Sequence, residues 1–314
     1  MRKGYDSGAM ALSFRHLTSA KQLTRGDIDQ LLKTAAAMHE VVKKGGDERC
    51  KGKILAALFY EPSTRTRLSF ETAMLRLGGS VITADGLQFS SMYKGETVED
   101  TMRVVGGYVD IIAMRHPELG SADRAAGASP VPFINAGDGP GQHPTQALLD
   151  LYTIQRERGT VDGLHIAMVG DLKYGRTVHS LTQLLTLFPK VHFTFIAPEQ
   201  LMMPEKVTSL LKEKGMQFVE TADLQAGVDA DVLYMTRVQK ERFSDPAEYE
   251  KLKLAYVLTA THLKGKKVTV MHPLPRVGEI AEDVDPLSTA SYFRQAHNGV
   301  PMRMALIAEL LGVA

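Results

Sequence analysis

Short apolar runs alternate along this chain with longer segments that carry one apolar face. Lys53–Tyr60 (KILAALFY) is a continuous apolar run of strand length. It leads into Thr64–Leu77, where Phe70, Ala73, Met74 and Leu77 recur at i, i+3, i+4 and i+7, the spacing of one helix face. Ser80–Asp85 predicts a strand. Thr97–Gly107 predicts a helix opened by Thr97 with Asp100 three residues on, an N-terminal capping pattern. Val109–Arg115 and Val131–Asp138 predict further strands. Pro144–Arg158 predicts one long helix carrying Ala147, Leu148, Leu151 and Ile154, stopped by Gly159. A second series follows, with strands at His165–Asp171, Val191–Ala197, Asp231–Val238 and Lys267–His272 and helices at Arg176–Phe188 and Pro204–Lys214. Ala290–Leu311 places Phe293, Val300, Met304, Ile307 and Leu311 at helical spacing and is expected to kink at Gly299 and Pro301.

Strand–helix alternation of this kind builds mostly parallel sheets. The expected fold is α/β. It has two doubly wound domains, each a mostly parallel sheet flanked by helices. The long helix 144–158 links them, and a C-terminal helix packs back on the first. The expected boundaries are 1–147 with 290–314 for one domain and 148–289 for the other. A chain of 314 residues is long enough for two such cores. Ligands of open α/β sheets sit beyond the strand C-termini, so the residues just after each strand are the candidates.

A net charge of +1 supplies no overall field for nucleic acid or an acidic membrane, so any anion binding must come from local clusters. Cys50 is the only cysteine, which excludes an internal disulfide and a cysteine-based zinc site. No apolar run is long enough to span a bilayer. The expectation is a cytoplasmic chain with no metal, no cofactor and no nucleic-acid or membrane partner.

The first candidate site follows Lys53–Tyr60: Glu61-Pro62-Ser63-Thr64-Arg65-Thr66-Arg67. A strand, a tight turn and a helix start bring free backbone N–H groups and the positive end of the helix dipole to one point. Three hydroxyls and two guanidiniums occupy that turn, and guanidinium grips phosphate through paired hydrogen bonds. An ordinary capped helix with solvated arginines is the alternative, but the density of the run favours a phosphate cradle. Gly170–Thr177 reads G-x-x-x-x-G-R-T, close to a nucleotide loop. Arg stands where that loop needs Lys, and no metal-binding carboxylate motif follows, so nucleotide binding is rejected.

Ser63-Thr64-Arg65-Thr66-Arg67 resembles the carbamoyl phosphate signature of the aspartate/ornithine carbamoyltransferase family. Further family-like motifs follow in order: Lys94-Gly95-Glu96-Thr97, Arg115-His116-Pro117, His143-Pro144-Thr145-Gln146, Asp171 to Thr177, Arg237-Val238-Gln239 and His272-Pro273-Leu274-Pro275-Arg276. The resemblance implies that the carbamoyl group of carbamoyl phosphate passes to the amino group of L-aspartate. The products are N-carbamoyl-L-aspartate and phosphate, in de novo pyrimidine biosynthesis. It places carbamoyl phosphate on Ser63, Thr64, Arg65, Thr66, Arg115, His143, Gln146, Leu274 and Pro275. Arg65, Thr66, Arg115 and His143 then act in catalysis, and donors from Thr66, Arg115 and His143 polarise the carbonyl oxygen. Aspartate falls to Lys94, Arg176, Thr177, Arg237 and Gln239. Ser90 and Lys94 are expected to reach in from a neighbouring subunit of a homotrimer. Pro273 stands where the ornithine enzymes usually carry Cys, which favours aspartate; ornithine or another amine is the alternative. Glu61, beside the cradle, is expected to bridge to Arg176 and Arg242 and favour domain closure. No Asp or Glu in these motifs is an obvious base, so the departing phosphate is expected to accept the amine proton.

Overall fold

The computed structural model describes residues 12–86, 91–239, 243 and 245–314, so the expected site residues Ser90 and Arg242 lie outside the described residues. The first sheet comprises β1 (His16–Leu17), β2 (Ile54–Phe59), β3 (Ser80–Asp85), β4 (Ile111–His116) and β5 (Phe133–Asp138). The second comprises β6 (His165–Val169), β7 (His192–Ile196), β8 (Phe218–Thr221), β9 (Val232–Met235) and β10 (Thr269–Met271). Every pairing is parallel, in the orders β1-β5-β4-β2-β3 and β10-β9-β6-β7-β8. The helices are α1 (Arg25–Lys43), α2 (Thr64–Arg76), α3 (Val98–Gly106), α4 (Ser121–Ala128), α5 (Pro144–Arg158), α6 (Arg176–Leu185), α7 (Glu205–Glu213), α8 (Pro246–Leu252) and α9 (Tyr292–Leu310). Two doubly wound parallel sheets joined by one long helix is the architecture expected from the sequence.

The strand orders locate the crevices. In the first sheet the chain goes one way from β2 to β3 and the other way to β4. In the second it goes one way from β6 to β7 and the other way to β9. Crevices open where the winding reverses, beyond the C-terminal ends of β2 and β4 and of β6 and β9.

α5 is buried on all sides: every residue from Ala147 to Ile154 is buried. One apolar cluster therefore runs from Leu55 and Phe70 of the first half through Leu148 and Leu151 to Phe193 and Tyr234 of the second. α9 packs on α1, α2 and α5, so it returns to the first half. It continues as helix on both sides of Pro301. Gly299 also has a packing role, because a Cβ there would lie 2.4 Å from Nη1 of Arg303. Among the described residues, no helix is long and apolar enough to cross a membrane.

Five elements lie beyond the sequence expectations: β1, α1, α4, β8 and α8. α1 carries a full capping box, in which Asp27 N–H donates to Thr24 Oγ1 (3.1 Å) and Thr24 N–H donates to the Asp27 carboxylate (2.9 Å). β8 is an edge strand with Val219 exposed, so it lacks the apolar run that marks the inner strands.

Gly170, at the end of β6, has φ +112, and a Cβ there would lie 2.3 Å from the Thr236 carbonyl oxygen. Gly170→Ala is therefore expected to cost about 2–4 kcal/mol, combining left-handed strain with a backbone clash. Urea unfolding measures it; a change under about 0.5 kcal/mol, the level of an ordinary surface substitution, would contradict this account.

Candidate active site

Helix starts decide the character of the cleft between the two sheets. Ser63, His143 and Gly175 are the N-cap positions of α2, α5 and α6, and none makes a side-chain cap hydrogen bond. All three line one cavity of about 520 Å³. Uncapped first turns leave N–H donors and positive dipole ends facing that space. The same cavity is lined by five guanidiniums, from Arg65, Arg115, Arg176, Arg237 and Arg303, and by one carboxylate, Glu61, among the described residues.

Glu61 sits between two of the guanidiniums. Arg115 Nε donates to Glu61 Oε2 (2.9 Å), and Arg176 Nη2 lies 3.9 Å from the same oxygen. Arg115 Nη1 also donates to Ser63 Oγ (3.2 Å), which ties the end of β4 to the start of α2. Arg176 Nη1 donates to the Gly139 carbonyl, so a side chain from the second half is anchored on the first. Both guanidiniums pass over Gly137, whose φ is +127; a Cβ there would lie 3.5 Å from Arg115 Nη1 and from Arg176 Nη2. Burial and the neighbouring Arg115 and Arg237 cations push the Arg65 guanidinium below its ordinary pKa.

His143 is buried, and its Nδ1 meets no hydrogen-bond partner among the described residues. Burial, then Arg176, Arg115 and Arg303, hold its pKa well below the usual imidazole value. The ring is a neutral group able to donate from one nitrogen, suited to polarising a carbonyl oxygen. Its backbone is held by donation from His143 N–H to Ser180 Oγ (3.3 Å). Across the cavity, Leu274 N–H donates to His272 Nδ1 (2.8 Å), so His272 Nε2 carries the hydrogen that meets Glu279 Oε1 at 2.7 Å. These bonds hold Leu274 at φ +56, in the left-handed region, and fix the 272–275 turn that lines the cavity.

The expected residues Glu61, Ser63, Thr64, Arg65, Thr66, Arg115, His143, Gln146, Arg176, Thr177, Arg237, Gln239, Leu274 and Pro275 all line this one cavity. Lys94 does not: it is exposed at the end of a single 3-10 turn, Ser91–Lys94. Three residues near the cavity were missed by sequence reasoning: Asp150, Gln295 and Arg303. Asp150 accepts from Gln146 Nε2 (2.9 Å), Gln295 Nε2 (2.7 Å) and Tyr234 OH (2.8 Å). Burial nevertheless raises its pKa to about 7. Burial lowers that of Arg303 to about 10, against the pull of Asp150. The available signal was an ionisable residue inside an apolar helical run, between Leu149 and Leu151 for Asp150 and between Met302 and Met304 for Arg303.

A neutral, buried His143 has a folded pKa below its unfolded one. Its contribution to stability is therefore full above the unfolded value and is lost as pH falls from there through the lower folded value. An NMR titration is expected to show this imidazole uncharged from about pH 9 down to about pH 6, whereas an unperturbed ring would be half-protonated near 6.5. A midpoint at the ordinary value would rule out the neutral donor.

Comparison with known proteins matches residues 15–156 to the aspartate/ornithine carbamoyltransferase, carbamoyl-P binding domain, and residues 162–310 to the Asp/Orn binding domain of the same enzymes. The aspartate carbamoyltransferase catalytic subunit of Methanocaldococcus jannaschii is 54% identical over 299 residues, covering 95% of this chain and 98% of the relative. That of Leptospira biflexa is 53% identical over 308 residues, covering 96% and 98%. A solved structure of the M. jannaschii catalytic subunit superposes with TM-score 0.90 at 53% identity, covering 95% of this chain and 98% of that one. Aspartate transcarbamoylase from Trypanosoma cruzi in complex with N-(phosphonacetyl)-L-aspartic acid superposes with TM-score 0.87 at 41% identity, covering 96% of each chain. With both halves matched and half its residues identical to such relatives over nearly its whole length, the chain belongs to the aspartate/ornithine carbamoyltransferase family.

Proposed function

We propose that this protein is an aspartate carbamoyltransferase, joining the carbamoyl group of carbamoyl phosphate to the amino group of L-aspartate in pyrimidine biosynthesis. The observation that carries the reading is the convergence of three uncapped helix N-termini and five guanidiniums on one cavity with a single carboxylate among its described lining residues. Such a site takes small ligands rich in negative charge, and its two walls come from two different sheets. The names of the relatives support the same assignment.

The phosphate sits at the start of α2, on first-turn N–H groups and the side chains of Ser63, Thr64, Arg65 and Thr66. Arg115, Thr66 and neutral His143 direct donors at the carbonyl oxygen, where negative charge grows as the amine attacks; one such donor is worth about 3 kcal/mol in comparable sites. The carbonyls of Leu274 and Pro275 and the Gln146 side chain accept from the carbamoyl NH2. Arg176 and Arg237, with Thr177 and Gln239, hold the two carboxylates of aspartate. The amine nitrogen bonds to the carbamoyl carbon, the carbon–oxygen bond to phosphate breaks, and the departing phosphate takes the amine proton. Ornithine carries one carboxylate and two ammonium groups, and the one acidic group among the described lining residues is already bonded to Arg115, so aspartate is the better fit.

Production of carbamoyl-aspartate from carbamoyl phosphate and aspartate, but not of citrulline from ornithine, is the expected result of a colorimetric ureido assay; the reverse preference rejects the reading. In the same assay Glu61→Gln is expected to raise the KM for aspartate several-fold with less effect on carbamoyl phosphate, because Glu61 draws Arg115 and Arg176 together. Equal KM values in variant and parent would remove that role.

Lys94, exposed and outside the cavity, is proposed to serve a neighbouring copy's site in a homotrimer, together with Ser90. Mixing Lys94→Ala with Arg65→Ala chains then regenerates some intact sites and restores activity. Mixed oligomers as inactive as either parent would show that no site is shared.

A further inference from the structure

Beneath the cavity floor lies a polar cluster that the proposed mechanism does not use. Asp150 and Tyr234 are fully buried, and Gln295 is nearly so. Asp150 does not line the cavity, but Gln146 and Gln295, both bonded to it, do. Two amide nitrogens converge on one oxygen, Asp150 Oδ1, at 2.9 Å from Gln146 and 2.7 Å from Gln295, while Tyr234 OH meets Oδ2 at 2.8 Å. Gln295 has no freedom left, because its Oε1 accepts from His272 N–H (2.8 Å) at the end of β10.

These bonds determine which way the Gln146 amide faces. An ionised carboxylate only accepts hydrogen bonds. A protonated Asp150 would carry its hydrogen on Oδ2, toward the Tyr234 oxygen, because Oδ1 already faces the Gln295 N–H, whose orientation His272 fixes. In either state Oδ1 is an acceptor, so the Gln146 nitrogen must point at it. The Gln146 oxygen is then the atom left for the cavity. An oxygen accepts from an N–H but gains nothing from a methyl group of the same size.

We propose that Asp150 is a specificity-determining positioning residue: by capturing the Gln146 amide nitrogen, it leaves that side chain's oxygen facing the cavity and selects an acyl phosphate bearing NH2 over one bearing CH3. The inference rests on the carbamoyl phosphate reading, and it assigns Asp150 no contact with substrate. Without the carboxylate the Gln146 amide is free to turn over, and its own NH2 then opposes the substrate's. The selectivity of the site resides one layer below the groups that touch the ligand.

The test compares carbamoyl phosphate with acetyl phosphate, which differ only by NH2 against CH3, through the Kd of each measured calorimetrically. Asp150→Ala is expected to lower the ratio of the two affinities about tenfold, the worth of one hydrogen bond of this kind. Asp150→Ser, smaller but polar, gives a second reading should the Ala chain fail to fold. Asp150→Asn is expected to restore the parent ratio, because its oxygen can take the place of Oδ1 and its nitrogen can donate to Tyr234. A purely structural role predicts instead that both ligands weaken together and the ratio stays put, which overturns the proposal. Loss of selectivity in the Asn chain as large as in the Ala chain also overturns it. A parent protein that binds neither acyl phosphate refutes the functional reading itself, a result distinct from either of these.

Discussion

Like charges held close repel one another, and the cleft of this protein holds five guanidiniums together with one carboxylate among its described lining residues. The fold has to supply the restraint. It does so by placing each arginine on a different part of the fold: the first turn of α2, the end of β4, the first turn of α6, the segment just after β9 and the middle of α9. Glu61 relieves part of the repulsion, touching Arg115 and approaching Arg176. Burial first, and the neighbouring cations second, hold Arg65 and His143 below their ordinary pKa values. A small, highly charged anion bound among them would offset the mutual repulsion of the cations.

The same restraint explains the burial of α5. A helix that bridged two halves with one face in water would let them shift, and the arginines from opposite sheets would separate. With Ala147 through Ile154 all buried, the helix is packed on every side. Its middle also carries the one acid that organises the amides under the floor. Bridge and floor are thus one element.

Much of this was legible in the residues themselves. The inner strands read as apolar runs, and α2, α3 and α5 announced themselves by periodicity, capping residues or the closing Gly159. The Ser63–Arg67 run pointed to an anion at a helix start. β8 was hidden because an edge strand with an exposed Val219 has no inner-strand pattern, and β1 because two residues are too few to show a period. α1 carried its signals openly, in Thr24 and Asp27, but no chemistry drew attention to it. Asp150, Gln295 and Arg303 were invisible for a different reason. The bonds that give Asp150 and Gln295 their meaning reach partners 145, 84 and 23 positions away along the chain, and no local window contains them. The uncapped state of three helix starts was equally beyond reach, because Ser63 is a good capping residue whose hydroxyl is drawn instead to Arg115.

The return of α9 to the first half has a consequence for how the protein is made. α1 and α2 rest their apolar faces on a helix that leaves the ribosome only after the entire second sheet has emerged. Vectorial synthesis normally lets an N-terminal unit fold before its successor appears. Here the first half must wait, with Ile28, Leu31 and Phe70 short of their final neighbours. Met304 and Ile307, which share their apolar cluster, are made only after the last strand of the second sheet.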